Sequence, residues 1–357
     1  MLAIETSCDE TAAAVVDGTQ SVLSSVVHSQ IDMHAKFGGV VPEMASRAHV
    51  LAIQPIVEQA LHEAGASLDD IGALAVTLGP GLKGSLLVGV EFAKAVCCVR
   101  GLPMIPVHHI EGHLMAPELQ VAEPFVPVRY PFIGLVVSGG HTSLYRVNAP
   151  GEIESVGRTL DDAAGEAYDK VGRLLGMPYP AGPIIDRLAA NGDPEFIAMP
   201  RPMLNKGGAD FSFSGIKTFV AQWIEREGHP ADERSLADIC ASFQEAVCET
   251  LAAKTVRAAR RMEVDHVVVT GGVASNRRLR ELIAEHASKR GISVSVPPPS
   301  LCTDNAAMIG AAGYARAWEA IQRGLGFAES ELDARSSWRL GTSAEMPTRR
   351  AGKLSRR

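Results

Sequence analysis

The chain lacks an excess of basic charge. Its 34 Lys and Arg face 41 Asp and Glu, for a formal net charge of −7. That balance gives no whole-molecule attraction for nucleic acid, so a nucleic-acid substrate would need a local basic patch or a helper protein. Paired cysteines are lacking too. Cys8, Cys97, Cys98, Cys240, Cys248 and Cys302 are scattered, with no C-x-x-C spacing. Such usage fits a reducing cytoplasm better than a disulfide framework. No apolar run approaches the roughly 20 residues that cross a bilayer. The start, Met1-Leu2-Ala3-Ile4-Glu5, enters a strand-like run and meets an acid too early for a signal peptide. The expectation is a cytoplasmic protein with no membrane partner. The H-E-x-x-H of a zinc peptidase is missing, and so is a true P-loop: in Gly79-Pro80-Gly81-Leu82-Lys83-Gly84-Ser85 the Lys precedes the last Gly.

What is present is a chain of 357 residues, nearly half of them apolar, long enough for two domains with substantial cores. Three segments share a grammar. Leu2 to Ile4 enters a polar turn, Glu5 to Thr11, and leaves through Ala12 to Val16. Phe132 to Val137 enters Ser138-Gly139-Gly140-His141-Thr142 and leaves through Ser143 to Val147. His266 to Val269 enters Thr270-Gly271-Gly272 and continues, through Asn276, into a helical stretch from Arg277 to Ala287. The first two read as β-hairpins with polar tips, the third as strand, glycine turn, helix. Ser46 reads as the N-cap of a helix running towards Ala64, with Pro55 marking a possible break. Ala73–Thr77 and Pro103–Val107 read as strands around a helix over Ser85–Val99. Alternation of this kind predicts an α/β fold of two similar domains around a cleft. The glycine turns after apolar strands let backbone N–H groups approach phosphate, and a helix start behind the third favours an anion.

The segment Val107-His108-His109-Ile110-Glu111-Gly112-His113 follows a strand and reads as a short helix. His109 and His113, four apart, project from one face and suit two ligands of a single transition metal. Two enzymes could be built on that pair: a metallopeptidase, or a transferase in which the metal holds a substrate. At about 100° per residue, the two imidazoles lie about 20° either side of a common bisector. Glu111 then lies about 180° away, whereas a zincin Glu lies about 80° away, which argues against the peptidase.

The motifs resemble one family throughout. Glu5-Thr6-Ser7-Cys8-Asp9-Glu10-Thr11, Gly38-Gly39-Val40-Val41-Pro42-Glu43-Met44-Ala45-Ser46-Arg47 and His108 to His113 carry the likeness. So do Val137 to Thr142, Ala164-Gly165-Glu166-Ala167-Tyr168-Asp169-Lys170, Phe211 to Gly215 and Cys302-Thr303-Asp304-Asn305. From Met1 to about Gly324 the chain resembles the bacterial TsaD (Gcp, YgjD) family, the tRNA N6-adenosine threonylcarbamoyltransferases. The resemblance implies the two-lobed fold of actin, Hsp70 and sugar kinases. The N-terminal lobe would span about 1–110, completed by a helix at about 305–323. The C-terminal lobe would span 111–304 with an insertion at about 161–244, and 325–357 would form a polar, mobile tail whose basic end is either solvated or in contact with RNA.

By resemblance, His109, His113 and Asp304 match metal ligands. Val136, Val137, Ser138, Gly139 and Gly140 match the loop that contacts threonylcarbamoyl-adenylate. Asp169, Gly182, Asp186 and Asn276 match residues that hold its adenosine part. The family's Tyr-Pro-Gly-Gly-Pro is here Tyr179-Pro180-Ala181-Gly182-Pro183, and its Val-Ser-Ala-Asn is Val273-Ala274-Ser275-Asn276; both keep the matched residue. The implied metal is one divalent ion, iron(II) favoured by the family and zinc possible, since imidazole and carboxylate suit both. The implied reaction moves the threonylcarbamoyl group from the adenylate to N6 of an adenosine in tRNA, with TsaB-like and TsaE-like proteins as partners. N6 is a poor nucleophile, so a base is expected to assist; Glu10 is the candidate, with Asp9 beside it. His108 and His141 are expected to support the ligands, Asp161 and Asp162 to cap a helix or touch nucleotide, and Arg277, Arg278 and Arg280 to form a solvated helix face. The competing functions are the peptidase and a small-molecule kinase of the same fold.

Overall fold

The computed structural model describes residues 1–120, 127–322, 325–327, 332–340 and 348–350. The chain opens with β1 (Leu2–Glu5), β2 (Glu10–Asp17) and β3 (Ser21–Ser29), followed by the short α1 (Ile31–Ala35) and the long α2 (Pro42–Glu63). Then come β4 (Leu74–Gly79), α3 (Lys83–Arg100), β5 (Met104–His108) and α4 (His109–Met115). These strands form one sheet in the order β3-β2-β1-β4-β5. β1 runs antiparallel to β2 and parallel to β4. Every residue of β1 and β4 is buried, because helices cover both faces of the sheet.

The second sheet repeats that plan. β6 (Phe132–Val137), β7 (Thr142–Ala149) and β8 (Glu152–Arg158) form a meander; α5 (Ala164–Leu174), α6 (Gly182–Ala189), α7 (Ser214–Glu227) and α8 (Glu233–Arg261) follow. β9 (His266–Thr270), α9 (Arg277–Ser288) and β10 (Ser293–Ser295) complete the order β10-β9-β6-β7-β8. In both sheets a first strand sits at the centre, its hairpin partners lie to one side and its parallel neighbours to the other. A third strand reached by a glycine turn and helix is therefore what the alternation required. The stretch 161–244 holds α5 to α7, and its expected end falls inside α8, which runs unbroken to Arg261.

The chain then passes through α10 (Pro299–Cys302) to α11 (Ala306–Gln322), which packs across β1, β2, β4 and β5 of the first sheet. Gly310 permits this, since a Cβ there would come within 2.7 Å of Val16 Cγ2. The last described elements, β11 (Leu325–Phe327) and β12 (Thr348–Arg350), pair antiparallel.

Three local expectations need correction. Ser46 does not cap α2: the helix begins at Pro42, with Val41 as N-cap, because proline at the first position is preset for helix and lacks only an orphan N–H. The Ser46 hydroxyl instead donates to the Pro42 carbonyl at 2.9 Å. Pro55 does not break α2; the carbonyl left without a donor belongs to the exposed Leu51, where water can satisfy it. Nor is the whole tail loose. Residues 332–340 lie on the first sheet: Leu332 and Ala334 are buried, Arg335 N donates to Leu78 O at 2.7 Å, and Trp338 packs on His108 with ring centres 4.7 Å apart. Apolar side chains spaced among polar ones hold this strap. The basic end, 351–357, lies outside the described residues.

Candidate metal centre and nucleotide cleft

β5 delivers α4 to the interface of the two sheets. His108 caps the helix, its Nδ1 accepting from Ile110 N at 3.1 Å. One turn brings His109 and His113 side by side, with ring centres 4.8 Å apart and planes at 85°. Asp304, on the loop between α10 and α11, closes the group. Its Oδ1 lies 3.1 Å from His113 Nε2 and 3.6 Å from His109 Nε2. The three ligand atoms lie within 4.8 Å of one another. The other face of His109 is held: Nδ1 lies 3.0 Å from Glu5 Oε2 and 3.2 Å from Ser7 Oγ.

The donor set fits a divalent cation. Burial opposes charge on His109, yet Asp304 and Glu5 push its imidazole up to about 9. Burial also opposes charge on Asp304, yet His109 and His113 hold its carboxyl well below the usual range. Two carboxylates therefore flank the His109 imidazole, Asp304 on its Nε2 side and Glu5 on its Nδ1 side, and among the described residues His113 Nδ1 is buried with no hydrogen-bond partner. Mixed imidazole and carboxylate donors of this kind suit a borderline metal. Glu111 is elsewhere, as its helical angle requires: it is buried and accepts from Arg316 Nε at 2.6 Å.

The β6–β7 turn lies next to this cluster. His141, at its end, has its ring centre 6.1 Å from that of His109, and burial pushes its imidazole down to about 4. The turn is tight: Ser138 N donates to His141 O at 2.8 Å, and His141 N to Ser138 Oγ at 3.1 Å. A Cβ on Gly139 or Gly140 would meet no atom within 4 Å, so their outer face is open. Val136 and Val137 are fully buried in β6, paired with β7, and hold the start of the turn in place. Two neighbours lock the turn. Gly165 of α5 approaches so closely that a Cβ there would lie 2.7 Å from Ser138 O, and Gly271, at φ +95°, would place one 2.4 Å from Val137 O.

One turn further along α5, Asp169 accepts from Ala181 N at 2.9 Å, and burial pushes its carboxyl up. This fixes the loop that starts α6 at Gly182, whose missing Cβ again leaves open space. Asp186 Oδ2 accepts from Arg277 N at 3.4 Å, while its Oδ1 is buried without a partner. Asn276 differs from expectation in what its side chain has to offer. It caps α9 by accepting from Leu279 N at 3.0 Å and donates to Gln244 Oε1 at 2.7 Å. Its amide is committed to the protein interior.

Glu10 lies at the first hairpin tip. Burial, then Asp304 and Asp9, push its carboxyl up to about 9. Tyr179 stands in the sequence only as part of the Tyr179–Pro183 match, with no role of its own. Burial, then Asp9 and Asp169, push its hydroxyl up. Only the third dimension signals it. Asp161 caps instead of facing the cleft, accepting from Phe213 N at 2.8 Å, and Asp162 accepts from Lys170 Nζ at 2.7 Å. The α9 arginines are engaged: Arg277 pairs with Glu281 at 2.6 Å, Arg278 with Glu245 at 2.6 Å, and Arg280 donates to Ala274 O at 2.7 Å. Lys83, of the P-loop-like stretch, pairs with Asp333 at 3.2 Å.

The family model for TsaD, tRNA N6-adenosine threonylcarbamoyltransferase, matches residues 21–311. A protein of Syntrophotalea carbinolica named tRNA N6-adenosine threonylcarbamoyltransferase is 51% identical over 95% of this chain and 96% of its own. One of the same name from Geobacter sulfurreducens is 53% identical over 95% of this chain and 97% of its own. Among solved structures, full-length HypF in its phosphate- and nucleotide-bound form has a TM-score of 0.57 at 14% identity, covering 89% of this chain and 46% of HypF. The activator of 2-hydroxyisocaproyl-CoA dehydratase from Clostridium difficile, with bound ADPNP, has a TM-score of 0.52 at 13% identity, covering 90% and 97%. At such identities the likeness is one of fold: the two-lobed α/β architecture shared by actin, Hsp70 and sugar kinases.

Proposed function

The chain belongs to the TsaD family of tRNA N6-adenosine threonylcarbamoyltransferases, and on that premise we propose that His109, His113 and Asp304 hold one divalent metal beside an adenylate cleft. The enzyme makes the t6A modification, moving a threonylcarbamoyl group to N6 of the adenosine that follows the anticodon in tRNAs reading codons that begin with A. The proposed donor is threonylcarbamoyl-adenylate. N6 attacks the carbamoyl carbon, the bond to the phosphate oxygen breaks, AMP leaves, and N6 gives up a proton.

Each part of the site has a task in that step. A bound metal supplies Lewis-acid polarisation and a grip on threonylcarbamoyl oxygens. The Ser138–Gly140 turn, open on its outer face, offers backbone N–H groups to the phosphate. Val136 and Val137, buried in β6, act by holding that turn in position. Asp169 and Gly182 shape the adenosine wall, and the unpartnered Asp186 Oδ1 is an acceptor for a ribose hydroxyl. Asn276 acts by holding α9 and the adjoining turn in place. Glu10 is the proposed base. Burial, Asp304 and Asp9 favour the protonated form of its carboxyl, so nearby positive charge is what would let it accept a proton.

The observation that carries this reading is the convergence of the three ligand atoms, within 4.8 Å, next to a glycine turn that is open to a ligand. Iron(II) is the favoured metal by family resemblance, with zinc the alternative. The proposed N-terminal lobe runs to about 110 and takes in α11; the C-terminal lobe runs over 111–304. The acidic balance and the engaged α9 arginines favour help in holding tRNA from TsaB-like and TsaE-like partners. No helix among the described residues is long and apolar enough to cross a membrane, and the cytoplasm is the proposed location. The test supplies the adenylate, tRNA and the partner proteins and seeks the modified base by mass spectrometry. Product that needs all three metal ligands supports the proposal. Cleavage of a polypeptide that is lost in His109→Ala, or sugar-dependent ATP turnover without tRNA modification, would replace it.

A further inference from the structure

The opening Glu-Thr-Ser of the first hairpin tip does not face the open cleft. Glu5 is 1% exposed, at the end of β1, and every polar atom of its carboxylate is engaged by the protein. Oε1 accepts from Ser7 N. Oε2 accepts from Thr77 Oγ1 at 2.6 Å and lies 3.0 Å from His109 Nδ1. Thr77 is brought there by the parallel pairing of β1 with β4, in which Ile4 lies opposite Val76. Thr6 anchors the segment by donating to Ser85 O at 2.9 Å, and Ser7 adds its hydroxyl 3.2 Å from the same imidazole nitrogen.

An imidazole that gives its Nδ1 proton to a buried carboxylate keeps its Nε2 lone pair free, and Nε2 is the atom that faces Asp304. A buried carboxylate against Nδ1 also makes Nε2 a better donor. Among the described residues His113 has no such support, since its Nδ1 lacks a partner. We propose that Glu5 is a positioning residue for the metal: through the Thr77–Glu5–His109 chain it fixes the Nδ1-protonated form of His109 and so sets the affinity of the centre, making His109 the preorganised ligand and His113 the adaptable one. The inference rests on the assignment of His109, His113 and Asp304 as metal ligands. It gives the first acid of the chain's opening motif a role separate from substrate contact.

The test measures metal binding without turnover. Zinc(II) or iron(II), the latter without oxygen, is titrated into metal-free protein in competition with a chromophoric chelator. Wild type is compared with Glu5→Gln, which keeps shape and removes charge, and with Thr77→Val, which removes the hydroxyl that orients Glu5. The dissociation constant is expected to rise about 10- to 100-fold in Glu5→Gln and by less in Thr77→Val. Circular dichroism and urea midpoints of the metal-free proteins serve to separate lost folding from lost affinity. Nitrogen-15 NMR of the wild-type imidazoles, with zinc bound, provides a reading that depends on no variant: His109 is expected to carry its proton on Nδ1. A proton on Nε2 overturns the inference, and so does a folded Glu5→Gln that binds metal within twofold of wild type. Wild type that binds no metal overturns the metal assignment itself and the inference with it.

Discussion

Replacing Gly165 by alanine probes how the packing of α5 sets the shape of the Ser138–Gly140 turn. A Cβ at this position would lie 2.7 Å from Ser138 O, 2.8 Å from Gly139 Cα and 2.9 Å from Gly139 N. All three are backbone atoms, so none can swing aside as a flexible side chain would. Ordinary contact begins near 3.4 Å, which asks the turn or the helix to retreat by about 0.7 Å. The hydrogen bond from Gly165 N to Ser138 O, at 3.2 Å, stretches with any such retreat. Overpacking of this kind costs about 1–3 kcal/mol in stability. Catalysis is more sensitive than stability, because a misplacement approaching 1 Å can cost about 100-fold in rate. Urea unfolding of Gly165→Ala should therefore show a modest loss, while the KM for adenylate, or kcat/KM, should worsen by roughly 10- to 100-fold. Gly72→Ala is the control, since its Cβ would meet nothing within 4 Å. If Gly165→Ala matches wild type in both measurements, the packing argument and the assignment of this turn to the adenylate are both wrong.

Asp304→Ala should lower bound metal, measured by elemental analysis, and reduce transfer by at least about 100-fold while circular dichroism stays unchanged; full activity without metal would refute the centre. Arg316→Met leaves Glu111 buried and unpaired, so it should cost about 3–5 kcal/mol in urea unfolding, with metal affinity little changed; a large loss of affinity would place Glu111 at the centre after all. His49 is buried between Thr11 Oγ1 and Cys8 O, and burial pushes its imidazole below the ordinary 6.5. Its folded form stays neutral while the unfolded chain takes up a proton, so this contribution is present above about pH 6.5 and is lost as pH falls towards the lower folded value. Urea midpoints at about pH 7.5 and pH 5.5 should thus fall further for wild type than for His49→Gln; equal falls would remove His49 from the account.

Much of this architecture is local and so could be read from the chain. Hairpins with polar tips, the glycine turns after apolar strands and the i, i+4 histidine pair all follow from periodicities of two and 3.6 residues, which neighbours in sequence impose by themselves. The orientation of Glu111 followed in the same way, and Arg316 proved to be what it faces. Family motifs added Asp304, although nothing in its own surroundings marks it as a ligand.

What the chain by itself determined, then, is which segments become strands, turns and helices, and which histidines share a face. The tertiary structure decided which distant atoms compete for one another. Asp304 reaches His113 across 191 residues, and Glu5 reaches His109 across 104. The Asn276 amide is drawn into the interior by Gln244 and Tyr168, and the strap at 332–340 is held down by β4 and His108. These outcomes depend on the order of strands in two sheets and on which buried polar group finds its partner. Burial makes an unmet hydrogen bond costly, so each choice is settled by the whole fold and by no segment alone.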